Sequence, residues 1–320
     1  MSAPSIAILG TGAYSPAKVL TNHELARMVD TTDEWIVTRT GIRERHVLRR
    51  DESFRPIVSG AARTALARGG LAPENVDFII SSTVIPERLC PAQSYEIARD
   101  IGAERAFAFD LNAACSGFIY GLACAESFLR TRDVTSGLVT AAEQMSTATD
   151  YTDRNSCILF GDAATAVVVT KDRPEHRILR TEIGSTPALG EEVTIGGVRS
   201  VLAGRPADYW FRQNGRTVMK FAVRTIQDLY DRIPRKVGID PKEIRYVIPH
   251  QANARILDAA ARSIGGKAEF ISVIEKYGNT SSASIGLALH DSWDRFKKGD
   301  LILLVAFGGG LSWAGALIEW

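Results

Sequence analysis

GLAPENVDFIISSTV (Gly70–Val84) and GIDPKEIRYVIPHQA (Gly238–Ala252) follow one plan: a glycine, a proline turn, acidic residues, then an apolar run ending in polar ones. Each follows a helical pattern, and each reads as helix stop, turn and short strand. The parallel continues downstream. The strand and helix around Cys115 match FISVIEKYGNTSSASIGLAL (Phe270–Leu289), and GLVTAAE (Gly137–Glu143) matches LILLVAFGGG (Leu301–Gly310). Self-similarity on this scale marks an internal duplication of about half the chain. The junction falls at KDRPEHR (Lys171–Arg177), where charge and a proline interrupt the pattern. Two α/β halves are expected, residues 1–172 and 173–320.

The helical stretches SGFIYGLACA (Ser116–Ala125) and SSASIGLAL (Ser281–Leu289) are apolar almost all the way round. A helix without a polar face must be buried on every side. Two such helices imply a central pair held between two sheets, with further helices outside them.

Cys115 lies in LNAACSGF (Leu111–Phe118), between the strand-like stretch Ala106–Asp110 and the first of these buried helices. A thiol at a helix N-terminus meets unpaired N–H groups and the positive end of the helix dipole, which favour thiolate and draw the pKa from about 8.5 toward neutrality. In VIPHQAN (Val247–Asn253), His250 follows a strand-like run, at the carboxyl end where sheet-based sites gather. In YGNTSSAS (Tyr277–Ser284), Asn279 stands before the second buried helix, at the position matching Cys115 in the repeat. Each residue has a plainer interpretation: an inert buried Cys, a satisfied His, an Asn that caps a helix. Their placement at three corresponding strand-to-helix junctions favours a joint chemical role.

Bulk properties narrow the function classes. The 320 residues carry a net charge of +1 and are 45% hydrophobic, which suits a folded globular chain and not one that coats nucleic acid. No charged segment precedes an apolar one at the start, and no apolar run approaches the roughly 20 residues of a membrane span. A cytoplasmic protein is expected. The four cysteines, Cys90, Cys115, Cys124 and Cys157, lack CxxC spacing, so neither a disulfide framework nor a zinc site is expected. The glycines of GTG (Gly10–Gly12) lack the third glycine and acidic partner of a dinucleotide fingerprint.

The motifs DEWIVTRTGIRER, DLNAACSGF, RNSCILFGDAA, PHQANARI, GNTSSAS and AFGGGLSW occur in this order across nearly the whole chain. Together they resemble β-ketoacyl-acyl-carrier-protein synthase III, the initiating condensing enzyme of type II fatty acid synthesis. The resemblance implies the thiolase fold, five αβαβα layers built from two similar halves, usually as a homodimer. It places the family's Cys-His-Asn triad on Cys115, His250 and Asn279. Cys115 would accept an acyl group from acyl-CoA by thioester exchange. Malonyl-acyl-carrier protein would then lose carbon dioxide, and its enolate would attack the acyl-enzyme, with no metal or redox cofactor. His250 and Asn279 would hydrogen-bond the thioester oxygen as enolate charge develops, and the N–H groups of Cys115 and Gly309 would form an oxyanion hole.

Substrate handles follow from residues and resemblance together. Thr31 and Glu34 have capping-box spacing and Gly41 ends a short helix, so Trp35 and Arg39 share one face. The resemblance carries coenzyme A binding onto Trp35, Arg39 and Arg154. Arg216, Lys220 and Arg224 recur every four residues beside an apolar face of Met219, Ala222, Val223 and Ile226, with Arg255 and Arg262 on the next helix. This basic stripe suits an acidic carrier protein. Lys220 and Arg255 match the family's docking positions, and a solvated charged face remains open for the others.

Three departures stand out. ERLCPAQS places Cys90 where the family usually has phenylalanine in the segment lining the partner subunit's acyl pocket, which suggests room for a longer or branched primer. GDAATA replaces the common GDGAGA, and Gly286 stands where proline often occurs. Thiolases use a second cysteine in the C-terminal glycine loop, which here reads AFGGGLSW, and elongating enzymes a second histidine where this chain has Asn279. Two alternatives stay open: a secondary-metabolism or polyketide starter enzyme that passes the acyl group to another acceptor, and a non-catalytic scaffold, against which the joint presence of triad and glycine loop argues.

Overall fold

The computed structural model describes residues 5–266 and 268–320. Ten strands organise it: β1 (Ile6–Tyr14), β2 (Phe78–Ser82), β3 (Phe107–Leu111), β4 (Ser136–Gln144), β5 (Asp162–Lys171), β6 (Arg177–Ser185), β7 (Tyr246–Pro249), β8 (Glu269–Phe270), β9 (Leu301–Gly308) and β10 (Ser312–Glu319). They hydrogen-bond in the order β8-β7-β9-β10-β6-β1-β5-β4-β2-β3. Followed inward from either edge, the order is the same, β3-β2-β4-β5-β1 and β8-β7-β9-β10-β6. The first three strands of each half are parallel and the last two antiparallel.

The two expected sheets are present as layers, and their strands are hydrogen-bonded into one continuous ladder. The turn at residues 172–176 returns the chain beside its own start, where Ile8 N–H donates to the His176 carbonyl at 3.0 Å. There β1 and β6 pair over two positions, Ile6 with Ile178 and Ala7 with Arg177. This short seam joins two five-stranded halves.

Among the described residues, the helices of eight residues or more are α1 (Asp33–Thr40), α2 (Arg55–Gly69), α3 (Gln93–Ile101), α4 (Gly117–Thr131), α5 (Gly215–Arg235), α6 (Ala254–Ser263) and α7 (Ser284–Asp291). The apolar helices α4 and α7 lie in the middle. One buried cluster joins Phe118, Ile119 and Leu122 of α4 and Ile285 and Leu289 of α7 to Ile80 and Val139 on one half-sheet and Ile248 and Leu304 on the other. Each of these large side chains contributes roughly 1.5–3 kcal/mol by leaving water. The outer face of the first half packs on α2 and α3 through Val58, Ala62 and Ile97. The outer face of the second packs on α5 and α6 through Ile226, Leu229 and Leu257. The order across the molecule is helix, sheet, helix, sheet, helix, the five-layered thiolase fold. No described helix is long and apolar enough to cross a membrane. Gly10 and Gly12 lie inside β1 and not in a strand-to-helix turn.

Two of the sequence departures meet in space. A Cβ on Gly286 of α7 would lie 2.3 Å from the Thr165 side chain on β5. Thr165 stands where GDGAGA has its last glycine, and its hydroxyl donates to the Gly12 carbonyl at 3.1 Å. Side-chain volume gained on the strand is thus offset by volume lost on the helix. Gly286→Ala is expected to cost about 1–3 kcal/mol by overpacking. Adding Thr165→Gly should recover more than half of that loss, as a double-mutant cycle of denaturant unfolding would show. Additive losses would mean that the two positions are not coupled.

Candidate active site

Two nearly identical turns build the site. The chain leaves β3 and reaches α4 through a 3-10 turn, Ala114–Ser116; on the other side Ser281–Ala283 leads into α7. Asn112 Oδ1 accepts from Ala114 N–H at 3.1 Å, and Asn279 Oδ1 accepts from Ser281 N–H at 2.9 Å. Ala114 (φ 48°) and Ser281 (φ 50°) then take the left-handed conformation that turns the chain into each helix. This corrects the internal alignment by three residues. The repeat mate of Cys115 is Ser282, and that of Asn279 is Asn112. Apolar periodicity locates the helices but does not register the polar turns before them.

Cys115, His250 and Asn279 line one cavity of about 410 Å³. Apolar walls come from Val84, Met145, Phe160, Phe211 and Leu311. His250 and Asn279 are buried. The glycine loop after β9 closes on Cys115: a Cβ on Gly308 would sit 2.7 Å from the Cys115 nitrogen, so only glycine permits this approach. Gly309 follows at the cavity wall, near Ala114. The Ser312 hydroxyl donates to the Ala113 carbonyl at 3.0 Å and also meets Ser116, fixing the Cys115 turn to β10.

Burial opposes the thiolate that the helix terminus favours. Burial pushes the Cys115 thiol up to about 12, with the nearby Glu143 carboxylate acting in the same direction against a Ser281 hydrogen bond. The dipole and N–H groups of the helix terminus act against this burial. His250 is driven the other way, down to about 3 by burial, so its ring is neutral. Its Nδ1 lies 2.7 Å from Ser284 Oγ, which also accepts from Gln251 N–H. With Gln251 N–H donating to its oxygen, the Ser284 hydroxyl is free to donate to Nδ1, the arrangement that leaves the proton on Nε2. The ring also packs edge-on against Phe307 at 5.2 Å. Because Asn279 Oδ1 is held by Ser281 N–H, the amide Nδ2 is left as a donor. The site therefore holds two neutral donors and one thiol.

Ser281 and Ser284 were not singled out from sequence although both lie in the quoted GNTSSAS motif. Their contacts are non-local: Ser281 Oγ is 3.5 Å from Cys115 Sγ across the two halves.

Trp35, Arg39 and Arg154 come together, with the arginines 4.5 and 5.2 Å from the Trp35 ring centre. The helix that carries Trp35 begins one residue later than expected. Its cap is Thr32, whose hydroxyl accepts from Trp35 N–H at 3.1 Å, and the Thr31–Glu34 capping box does not form. This cluster borders a depression of about 340 Å³ that shares Gln213, Val218, Ala252 and Asn279 with the Cys115 cavity. Arg216, Lys220, Arg224, Arg255 and Arg262 are all exposed on α5 and α6. Arg255 also donates to the Thr38 carbonyl at 3.1 Å, linking the stripe to α1. Cys90 is exposed and does not line the cavity of its own chain. Among the described residues no group of His, Cys, Asp or Glu is placed to hold a metal ion.

The family model for 3-oxoacyl-[acyl-carrier-protein (ACP)] synthase III matches residues 109–187, and its C-terminal model matches residues 235–320. The chain is 42% identical over 316 residues to β-ketoacyl-[acyl-carrier-protein] synthase III of Aquifex aeolicus, covering 98% of this chain and 99% of the relative. It belongs to the β-ketoacyl-acyl-carrier-protein synthase III family. The crystal structure of a synthase III from Aquifex aeolicus superposes on this family member with a TM-score of 0.92 at 40% identity, covering 98% of this chain and 100% of that one. A priming β-ketosynthase from the R1128 polyketide pathway also aligns, with a TM-score of 0.92 at 31% identity, covering 99% and 97% of the two chains.

Proposed function

We propose that this synthase III condenses an acyl-CoA primer with malonyl-acyl-carrier protein through an acyl-Cys115 intermediate. The products are β-ketoacyl-carrier protein, CoA and carbon dioxide. The observation that carries this function is the convergence of one thiol and two neutral donors, Cys115, His250 and Asn279, on a single apolar-walled cavity. Cys115 takes the acyl group, and the N–H groups of Cys115 and Gly309 stabilise the oxyanion of each tetrahedral intermediate. Decarboxylation places negative charge on the thioester oxygen of the enolate. His250 Nε2–H and Asn279 Nδ2–H donate to it without first losing or gaining a proton. The apolar walls exclude water that would protonate the enolate or hydrolyse the acyl-enzyme. No metal or redox cofactor takes part.

Trp35, Arg39 and Arg154 bind coenzyme A at the mouth, and the shared wall of the two depressions guides its thioester toward Cys115. Trp35→Ala is expected to raise KM for acyl-CoA about 10-fold, the scale of one lost stacking and cation–π contact. The acylation rate at saturation should hold, and initial rates across acyl-CoA concentrations check it. The basic stripe, led by Lys220 and Arg255 with Arg216 and Arg224 beside them, docks the acidic carrier protein. Raising salt should slow turnover of sub-saturating malonyl-carrier protein several-fold while leaving acylation at saturating acyl-CoA little changed. Equal salt effects on both steps would remove the docking role.

A homodimer in the cytoplasm is the proposed setting. β3 is an outer strand of the ladder, and Leu89, Tyr95 and Phe107 near it are exposed apolar residues that a second copy would cover. Cys90, in the same exposed region, would then reach the partner's acyl pocket and leave room for a longer or branched primer. The similarity to the priming polyketide ketosynthase favours a second setting, starter-unit condensation in secondary metabolism. A panel of acyl-CoAs with malonyl-carrier protein tests these assignments. Ketoacyl-carrier protein with carbon dioxide supports condensation, while acyl transfer without carbon dioxide supports the alternative acyltransferase. Acetyl-CoA turning over far faster than every longer or branched primer would remove the role of Cys90.

A further inference from the structure

Glu143, at the end of β4, is fully buried, and the condensation described above does not use it. Its Oε1 accepts from Ser281 Oγ at 3.2 Å and Ser282 Oγ at 2.6 Å, and Oε2 accepts from Val84 N–H at 2.9 Å. In the repeat, its ladder position is that of Gly308, the glycine pressed against Cys115. One half of the molecule thus places a glycine against the nucleophile turn, and the other a carboxylate against the matching turn. Ser281 connects the two, because its oxygen also lies 3.5 Å from Cys115 Sγ. A hydroxyl has one proton. With that proton directed at Glu143, Ser281 accepts from the Cys115 thiol, and the three groups form a chain of fixed direction.

We propose that Glu143 is the proton acceptor for Cys115, reached through Ser281 Oγ. The proposal rests on the acyl-Cys115 mechanism and supplies the deprotonation that a thiol in an apolar-walled cavity needs. As the Sγ–acyl carbon bond forms, the thiol proton moves to Ser281 Oγ and the serine proton moves to Glu143. The thioester bond to CoA breaks, the CoA thiolate leaves with the electron pair, and solvent protonates it. In condensation the enolate carbon attacks, the acyl–Sγ bond breaks, and the departing Cys115 thiolate recovers the stored proton from Glu143 through Ser281. The cycle closes with one solvent proton consumed, as the conversion of acyl-CoA and malonyl thioester to CoA, carbon dioxide and ketoacyl product requires.

Burial raises the Glu143 carboxyl from 4.5 to about 7, opposed by its serine and backbone hydrogen bonds. Such a group can both take up and return a proton near neutral pH. The uncharged Ser281, Ser282 and Val84 N–H surround it, and Cys115, on the nucleophile turn, is the titratable side chain coupled to it.

The test compares wild type, Glu143→Gln, Ser281→Ala and Ser282→Ala. Cys115 acylation is followed by rapid quench and intact mass from about pH 5 to 9, with iodoacetamide alkylation as a substrate-free readout. Glu143→Gln and Ser281→Ala are expected to slow acylation about 100-fold, the low end of general-base contributions. Both should also lose the rise in rate as Glu143 ionises. Ser282→Ala strips the same carboxylate of a hydrogen bond without touching Sγ, so its loss should be about 10 times smaller and its pH inflection retained. Wild-type rates and inflection in Glu143→Gln would overturn the proposal, as would equal losses in the two serine variants. If wild type forms no acyl adduct, the condensation mechanism fails, while the alkylation rates still test the relay.

Discussion

Cys115→Ala is expected to abolish ketoacyl formation, by on the order of 10⁴–10⁶-fold, while carbon dioxide release from malonyl-carrier protein continues. The first loss is of the size seen when a covalent nucleophile is removed and its supporting groups remain. The continued decarboxylation follows from the geometry. His250 and Asn279 are held by Ser284 and by Ser281 N–H, neither of which depends on the Cys115 sulfur. The enolate would form, find no acyl group, and be protonated to acetyl-carrier protein. Measuring carbon dioxide and ketoacyl product together checks this. Joint loss of both would show that the sulfur also organises the decarboxylation donors.

Asn279→Ala should separate the half-reactions in the opposite sense. Acylation depends on Cys115, the N–H groups beside it and the Ser281–Glu143 relay, none of which uses the Asn279 Nδ2 donor, so its rate should stay within a few-fold wherever the Ser281 turn is kept. Decarboxylation loses one of two preorganised donors, and condensation should fall about 10²–10³-fold. Asn279 Oδ1 also holds Ser281 N–H, so a stability check belongs with the kinetics; Asn279→Asp keeps that acceptor while removing the Nδ2 donor. Pre-steady-state measurement of both steps decides the point. Equal losses in acylation and condensation would contradict the donor role.

Much of this site was legible in the sequence because the duplication is local in pattern. The strand-turn-helix plan around Gly70 and Gly238 gives both halves their order, and the apolar helices at Phe118 and Ile285 require the layering. Cys115, His250, Asn279 and the Trp35–Arg39–Arg154 cluster could be named because they lie in motifs. Features that depend on the approach of one half to the other could not. The β1–β6 seam needs only two residue pairs, too few to leave a periodic signal. Glu143 reads as the end of a buried strand until the turn at Ser281 and Ser282 is placed against it. The helix terminus of Cys115 draws its thiol toward neutrality, while enclosure pushes it up, and no linear motif records that enclosure. Thr165 and Gly286 appeared as separate departures and are one contact.

The central claim is that Cys115 carries the acyl group between two half-reactions. Its most direct test is a single-turnover experiment: acyl-CoA is mixed with the enzyme, free CoA is removed, and the mass of the Cys115 peptide is followed after malonyl-carrier protein is added. One acyl group on Cys115, discharged with one carbon dioxide and one ketoacyl-carrier protein per adduct, is the predicted result. An adduct on another residue, or an acyl-Cys115 that persists while product forms, would contradict it.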